Sequence, residues 1–279
     1  TDVYLRPVGL GIELNLAEGF DEAQAHSKVI DFGKRTGSDH QIIDRSLSVY
    51  TPSGALRPIA FDGSRGRLVR ASGGIELSAG GFFSAGGTLS LERSTSRLKL
   101  ADASEVDVNL LTLGGTGLRA FAGLNGPYRR DANGDGQIDS RDPPNLSAIG
   151  VAATGAGFAA VIGREVTSGP AAPRSWFALQ SQMDEAALVG VPGLVMKAEN
   201  LGVVLNRVEG IAAGSDAALQ VLDLSDAPLA IATGYGTSRT LSVDGALGPM
   251  SRASGTLSLS VGDFVSARGS LAIETLSLI

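Results

Sequence analysis

The sequence repeats itself at long range, and this repetition constrains the fold more than any other feature. Residues 70–92 and residues 252–274 align without gaps and are identical at 13 of 23 positions. Upstream, residues 10–19 and residues 201–210 are identical at six of ten positions. An internal match of this length indicates a structural unit that recurs along the chain.

Shorter matches fall between these two blocks. They pair residues 29–32 with 221–224, residues 46–49 with 240–243, and residues 54–58 with 245–249. The offset stays close to 190 residues, whereas a single domain built from two similar halves would divide near residue 140. We therefore predict a first repeat unit at 1–200 and the opening part of the next unit at 201–279, cut from a longer tandem array.

Most of the chain alternates apolar and polar residues, as Val106, Asp107 and Val108 do, which is typical of half-buried β-strands. Glycine pairs such as Gly114-Gly115 suggest turns, and a short helix is predicted only around 18–28. The pattern predicts an all-β fold, an elongated repeat array of long amphipathic, mostly antiparallel strands with little helix. A solenoid-like array and a stacked meander both fit, and a closed barrel or a two-sheet sandwich is the main alternative.

Composition excludes several classes of function. The chain has 23 Lys and Arg against 29 Asp and Glu, and this negative net charge does not suit nucleic-acid binding. It has no cysteine, which excludes disulfides, thiolate metal sites and cysteine nucleophiles. Only two histidines are present, and no group of residues has the spacing of a catalytic motif. We therefore predict a protein that is not an enzyme.

The longest uncharged run, residues 143–163, is long enough to cross a bilayer. It opens with two prolines, contains several glycines and uses alanine where a membrane-spanning helix would use leucine. Two short strands that meet near Thr154-Gly155 explain the run better. No membrane span is therefore predicted.

Residues 131–142, DANGDGQIDSRD, place oxygen-bearing groups at the spacing of a calcium-binding loop. The candidate ligands are Asp131, Asn133, Asp135, Gln137 through its backbone carbonyl, Asp139 and Asp142. Gly136 occupies the sixth position, where such a loop turns sharply. The motif predicts calcium as a cofactor, because four carboxylates so close together would repel one another without a cation. The alternative is a solvated acidic loop neutralised by neighbouring arginines.

The loop resembles the EF-hand family, and more closely the dockerin and thrombospondin-like variants that end in Asp. The resemblance covers only these twelve residues. Pro143-Pro144 follow at once and prevent a normal exiting helix. We therefore expect a structural staple in a loop that connects two strands, rather than a calcium switch that moves helices.

Two longer strings, residues 189–207 and residues 253–274, resemble the repeat regions of giant bacterial secreted and surface proteins of the calcium-dependent adhesin type. The resemblance implies an extracellular or cell-surface location and a structural or adhesive role in a filament, layer or stalk. The partners it implies are neighbouring repeat units, copies of the chain itself, and surface glycans or other cell-surface components.

Two other functions fit the same strand pattern. A lipid-conducting β-groove, similar to the AsmA/TamB class of envelope proteins, also uses long strands with one apolar face, and a continuous exposed lining of Leu and Val would favour it. A β-helical polysaccharide-active enzyme would be favoured by an acidic cleft in one unit that is missing from its repeat partner.

Overall fold

The chain folds almost entirely into β-strands. A computed structural model places 66% of it in strands, with only short 3-10 turns of helix among the described residues. The structure describes residues 3–17, 28–36, 38, 41–63, 66–130, 132, 134, 142–167, 172–212 and 214–276. The prediction of an all-β fold with little helix is confirmed.

Within these ranges, nine long strands form one antiparallel sheet, and six short strands form three hairpins. The strands of the sheet are β1 (Val3–Asn15), β6 (Leu68–Ala79), β7 (Phe83–Lys99), β8 (Glu105–Leu124), β9 (Ile149–Glu165), β10 (Ser175–Val189), β11 (Leu194–Glu209), β14 (Met250–Val261) and β15 (Val265–Leu276). The hairpins pair β2 (Arg35–Thr36) with β3 (Ile42–Ile43), β4 (Leu47–Tyr50) with β5 (Leu56–Ile59), and β12 (Leu229–Gly234) with β13 (Thr237–Leu241).

The sheet is an open meander, in which strands that follow one another along the chain lie side by side. Its order is β1-β6-β7-β8-β9-β10-β11-β14-β15. Two connections are much longer than the others: the first insertion (residues 16–67) joins β1 to β6, and the second insertion (residues 210–249) joins β11 to β14. Because β1 and β15 remain at opposite edges of the sheet, the fold is not a closed barrel.

One face of the sheet, which we call the covered face, carries the core. A row of cross-strand partners on this face is buried on six strands, namely Glu92, Thr112, Val161, Ala178, Asn206 and Met250. Hairpin β12–β13 packs across β6 to β9 on the same side. The main hydrophobic cluster joins Val108 and Trp176 of the sheet to Leu222 and Ile231 of the second insertion.

The opposite face, which we call the open face, carries apolar rows that run across the sheet. One row of partners crosses all nine strands, namely Val3, Ala79, Phe83, Ala122, Val151, Leu188, Met196, Leu259 and Ala267. Five of these side chains are 38–69% exposed. A second row has the same character: Ile12, Ala71, Leu91, Leu113, Ala160, Leu179 and Leu205. Neither hydrophobic cluster of the described residues lies on this face.

The internal repeat is visible in the backbone. β11, β14 and β15 pair as β1, β6 and β7 do, with Leu194 opposite Val261 in one copy and Val3 opposite Ala79 in the other. Both copies carry a bulge at the equivalent place, where Gly9 and Asn200 have positive φ. Positive-φ glycines recur as well, at the pairs Gly54 and Gly236, Gly66 and Gly248, and Gly80 and Gly262. The sequence repeat is therefore a structural repeat, whose second copy starts with β11.

The structure realigns the two insertions. Sequence similarity pairs residues 46–49 with 240–243 and residues 54–58 with 245–249. In the fold, hairpin β4–β5 is equivalent to hairpin β12–β13 instead, with Leu47 at the place of Leu229, which is an offset of 182 residues. Hairpin β2–β3 has no counterpart among the described residues of the second insertion, and its extra residues cause the change in offset.

Each insertion is fixed to the end of its strand by a buried asparagine. Asn15 Nδ2 donates to the carbonyl of Ile30 at 2.7 Å, and Asn206 Nδ2 donates to the carbonyl of Leu222 at 2.8 Å. The two asparagines occupy equivalent positions of the repeat, as do their two acceptors. A buried amide needs such partners, which explains why the same residue type recurs at this position.

Predictions for single segments had different outcomes. β9 is one continuous strand rather than two short ones, and it passes through Gly155 in a positive-φ conformation. Gly114 lies inside β8 rather than in a turn. The position needs glycine because a Cβ there would lie 2.1 Å from the carbonyl oxygen of Ala232. The helix predicted around 18–28 falls almost wholly outside the described residues.

Within the part of the chain that is described, no helix has the length and apolar character needed to cross a membrane.

Replacing Asn206 with alanine should destabilise the protein. The variant loses the hydrogen bond to Leu222 and leaves a buried carbonyl without this donor, which typically lowers the free energy of unfolding by about 1–3 kcal/mol. Trp176 is the only tryptophan of the chain and lies in the same core, so its fluorescence during urea titration measures the change. Asn15→Ala is the matched control and should lower the free energy of unfolding less, because its hydrogen bonds hold only the first insertion, which supplies no residue to the core around Trp176. Equal decreases in the two variants would contradict the larger stabilising role of Asn206.

Candidate metal centre

The predicted calcium loop connects β8 to β9, and its two stems lie on the covered face. Phe121 comes just before Ala122 of the open face, and Ala152 comes just after Val151 of that face. Because side chains alternate along a strand, Phe121 and Ala152 point to the covered face. Tyr128 and Ala148, one from each stem, pack on them in a second hydrophobic cluster with Val189. The stems are therefore anchored at the opposite end of the strands from Trp176.

Asn145 ties the two stems together. Its Nδ2 donates to the carbonyl of Asn125 at 2.8 Å and to that of Pro127 at 3.2 Å. Its main-chain N–H donates to the carbonyl of Tyr128 at 2.7 Å. Asn125 Nδ2 donates in return to the carbonyl of Ser147 at 3.0 Å. These bonds join the two stems at the neck of the loop.

Asp142, the last of the predicted ligands, is buried at this neck, with 1% of its surface exposed. Its Oδ1 accepts a hydrogen bond from the N–H of Ala132 at 3.2 Å, so the carboxylate is turned back toward the start of the loop. The main-chain carbonyl of Asp142 accepts from Nη1 of Arg129, and Arg129 forms a β-bridge with Pro144. An inward carboxylate at the closing position is what a cation-binding loop requires.

A positive charge lies near the neck of the loop. Arg119 extends from β8, with Nη2 3.5 Å from Oε1 of Glu76. Burial lowers the pKa of the Arg119 guanidinium, while the negative charges of Glu76 and Asp142 oppose this change. The guanidinium remains protonated at neutral pH, because the ordinary pKa of arginine is far higher. Arg119 therefore offsets part of the negative charge at the neck.

Asp142 is the one predicted ligand that falls within the described residues. The other five, Asp131, Asn133, Asp135, Gln137 and Asp139, lie outside them. The described ranges contain no cluster of three or more His, Asp or Glu side chains suited to a metal. What is described fits a cation loop, because the stems are joined, the closing carboxylate points inward and every candidate donor is an oxygen atom.

The neck also contains residues that the sequence motif does not indicate. Asn145 and Arg119 act through contacts with distant parts of the chain, so no local spacing reveals them. Arg129 donates from Nη1 to the main-chain carbonyl of Asp142, a contact that the ligand spacing does not indicate. Their role is to shape and hold the loop rather than to supply ligands.

Calcium should stabilise the protein through this loop. At free calcium of about one hundred times the Kd, binding adds about 2.7 kcal/mol to the free energy of unfolding, so the melting temperature should rise with calcium and fall with EDTA. Asp131→Ala combined with Asp135→Ala should abolish the response, because two carboxylate ligands are lost. Asp263→Ala, which removes an exposed carboxylate from the β14–β15 turn, is the control and should respond like the wild type. If the melting temperature of the wild type is the same with and without EDTA, the loop binds no calcium.

Comparisons of the chain with protein-family models, with curated proteins and with solved structures found no match. The resemblances of residues 131–142 and of the repeat strings therefore rest on those residues alone. The function has to be argued from the sheet, its two insertions and the loop.

Proposed function

We propose that the chain is a structural or adhesive segment of an extracellular bacterial repeat protein, stiffened by calcium, that builds a filament, a surface layer or a stalk. The role is not catalytic. The observation that carries the proposal is the strand pairing between the two repeat copies. β10 of the first copy pairs with β11 of the second from Ser175–Glu209 to Leu188–Met196, so the sheet continues across the boundary as it does within a unit.

The repeat copies also share a core. The second insertion, which belongs to the second copy, supplies Leu222 and Ile231 to the cluster that contains Val108 and Trp176 of the first copy. Units that complete one another's cores depend for stability on their neighbours and do not behave as independently folded domains. A continuous sheet with shared cores is suited to a stiff structural element.

Calcium binding would suit such an element outside the cell. Extracellular modules with carboxylate loops bind calcium with Kd values of about 0.1–1 mM. Residues 131–142 sit between β8 and β9, near the middle of the nine-stranded sheet, where a ligated loop would hold two adjacent strands. The absence of cysteine and the acidic balance also fit a secreted protein. For partners we propose neighbouring repeat units, copies of the chain, and surface glycans or other cell-surface components.

Chains of four, five and six repeat units should lengthen by a fixed step. Each unit contributes six strands, β1 and β6 to β10, and strands in a sheet lie about 4.8 Å apart, so each unit should add about 29 Å across the sheet. Small-angle X-ray scattering measures the step as the increase in maximum dimension, because arrays of this size are wider than the roughly 66 Å length of a 20-residue strand such as β8. Scattering typical of globules joined by flexible links would contradict the proposal.

A lipid-conducting groove of the AsmA/TamB kind is the second candidate, and the open face favours it. Apolar side chains cross all nine strands there, whereas monomeric soluble proteins rarely expose an apolar patch larger than a few hundred Å². Rows of Leu, Val and Ala that run from strand to strand would contact acyl chains along their length. Among the described residues, no comparable observation favours the polysaccharide-active enzyme.

Two neighbouring residues of β14 test this second candidate. Leu257 lies on the open face, and the adjacent Ser258 points to the other side of the strand. If the open face takes acyl chains, Leu257→Glu should lower the binding of a fluorescent phospholipid by roughly tenfold, because a carboxylate beside acyl chains is costly. Ser258→Glu should bind as the wild type does. A wild-type chain that takes up no phospholipid would eliminate the groove.

A further inference from the structure

The two insertions share one framework. Hairpins β4–β5 and β12–β13 have the same strand register, and both turn at a positive-φ glycine. In the first insertion the N–H of Phe32 donates to the carbonyl of Phe61 at 2.8 Å, and in the second the N–H of Leu224 donates to the carbonyl of Val243 at 2.8 Å. Outside hairpin β2–β3, the described residues of the two insertions can therefore be matched one to one.

The second insertion uses one side of this framework to cover strands of the preceding copy. Its residues Leu222, Ile231, Leu241 and Val243 are buried in one cluster with side chains from β7, β8, β9 and β10. A polar contact fixes the edge of this interface, where Arg239 Nη2 donates to Oε1 of Gln182 on β10 at 2.9 Å.

The same side of the first insertion is apolar but uncovered. Ile30 is 52% exposed where its counterpart Leu222 is fully buried, and Val49 is 42% exposed where its counterpart Ile231 is 2% exposed. Arg57 occupies the place of Arg239. The difference arises because β1 is the edge of the described sheet, so no strand lies beneath the first insertion.

We propose that this side of the first insertion, formed by Ile30, Leu47, Val49, Arg57 and Ile59, docks on a four-stranded segment equivalent to β7–β10 of another repeat unit. The last strand of that segment pairs with β1, as β10 pairs with β11. The second insertion identifies the occupant, because its equivalent side makes this contact within the chain. The inference rests on the proposed continuous array and names the surface through which one unit holds the next.

The chain's own β7–β10 segment is not the occupant. The second insertion already covers that segment, and β11 already pairs with the edge of β10. The partner is therefore a further copy of residues 83–189 whose covered face and β10 edge are both free.

Cysteine labelling tests the docking, because the chain has no native cysteine. Val49→Cys is compared in the chain itself and in a tandem chain, residues 1–193 followed by residues 3–279, with the cysteine in the second copy only. The junction reproduces the native bond after Gly193, since Val3 is the counterpart of Leu194. In the tandem chain the thiol should react with a maleimide at least about tenfold more slowly, because labelling then requires local opening of the docked surface.

Two references calibrate the labelling rates. Ile231→Cys places the thiol at the buried counterpart, and Phe264→Cys places it in a turn where the native side chain is 93% exposed. Trp176 fluorescence confirms that each variant is folded. Val49→Cys should label like Phe264→Cys in the single chain and like Ile231→Cys in the tandem chain. Unchanged fast labelling in the tandem chain would overturn the docking.

Hydrogen exchange of the β1 amides in the second copy separates the docking from the proposed function. Protected amides together with fast labelling at residue 49 would overturn the docking alone and leave the continuous sheet in place. Unprotected amides would overturn the continuous array as well. In the single chain, labelling that slows as the protein concentration rises would show self-association of this surface and would overturn the proposed occupant.

Discussion

Burial of the second insertion on the covered face is the contact on which the rest of the structure depends. A single layer of antiparallel strands has no interior, and a core forms only where a second layer covers it. Here the second layer comes from the next repeat copy, which brings Leu222 and Ile231 onto Val108 and Trp176. The stems of the predicted calcium loop add a smaller cover at the other end of the strands. The fold of one unit is thus incomplete without the unit that follows it.

Sequence alternation predicted long strands with two different faces, and the structure confirms them, but alternation cannot show which face is covered. Leu89 and Leu91 are more than a third exposed, while Ser90 and Glu92 beside them are buried. The cover over these strands is the tip of hairpin β12–β13, whose backbone lies so close that small or polar side chains fit beneath it. Glu92 tolerates burial because it pairs with Arg70 at 2.8 Å. A rule that places leucine inside and serine outside therefore fails here.

Sequence similarity also located the repeat better than it aligned the insertions. The equivalent glycines are Gly63 and Gly245, because a Cβ at either would lie within 2.7 Å of the Cβ of Asp31 or Asp223, respectively. Close approach of this kind is a property of the folded chain and leaves no local pattern. The candidate metal centre shows the same division. Ligand spacing is local and can be recognised in the sequence, whereas the neck formed by Asn145 depends on two stems that meet only in the fold.

The two faces of the sheet place different demands on any assembly of these units. On β14 and β15 the covered face, beyond the buried Met250, presents mainly serine, threonine and the pair Arg252 and Glu274, which tolerate contact with water. The open face presents leucine, valine and isoleucine on the same strands, and the described residues of the two insertions do not cover it. Because its apolar rows run from the first repeat copy into the second, only an equally continuous partner would cover them. A second sheet of the same kind and a layer of acyl chains both meet that condition, whereas a single compact partner would leave most of the face in water.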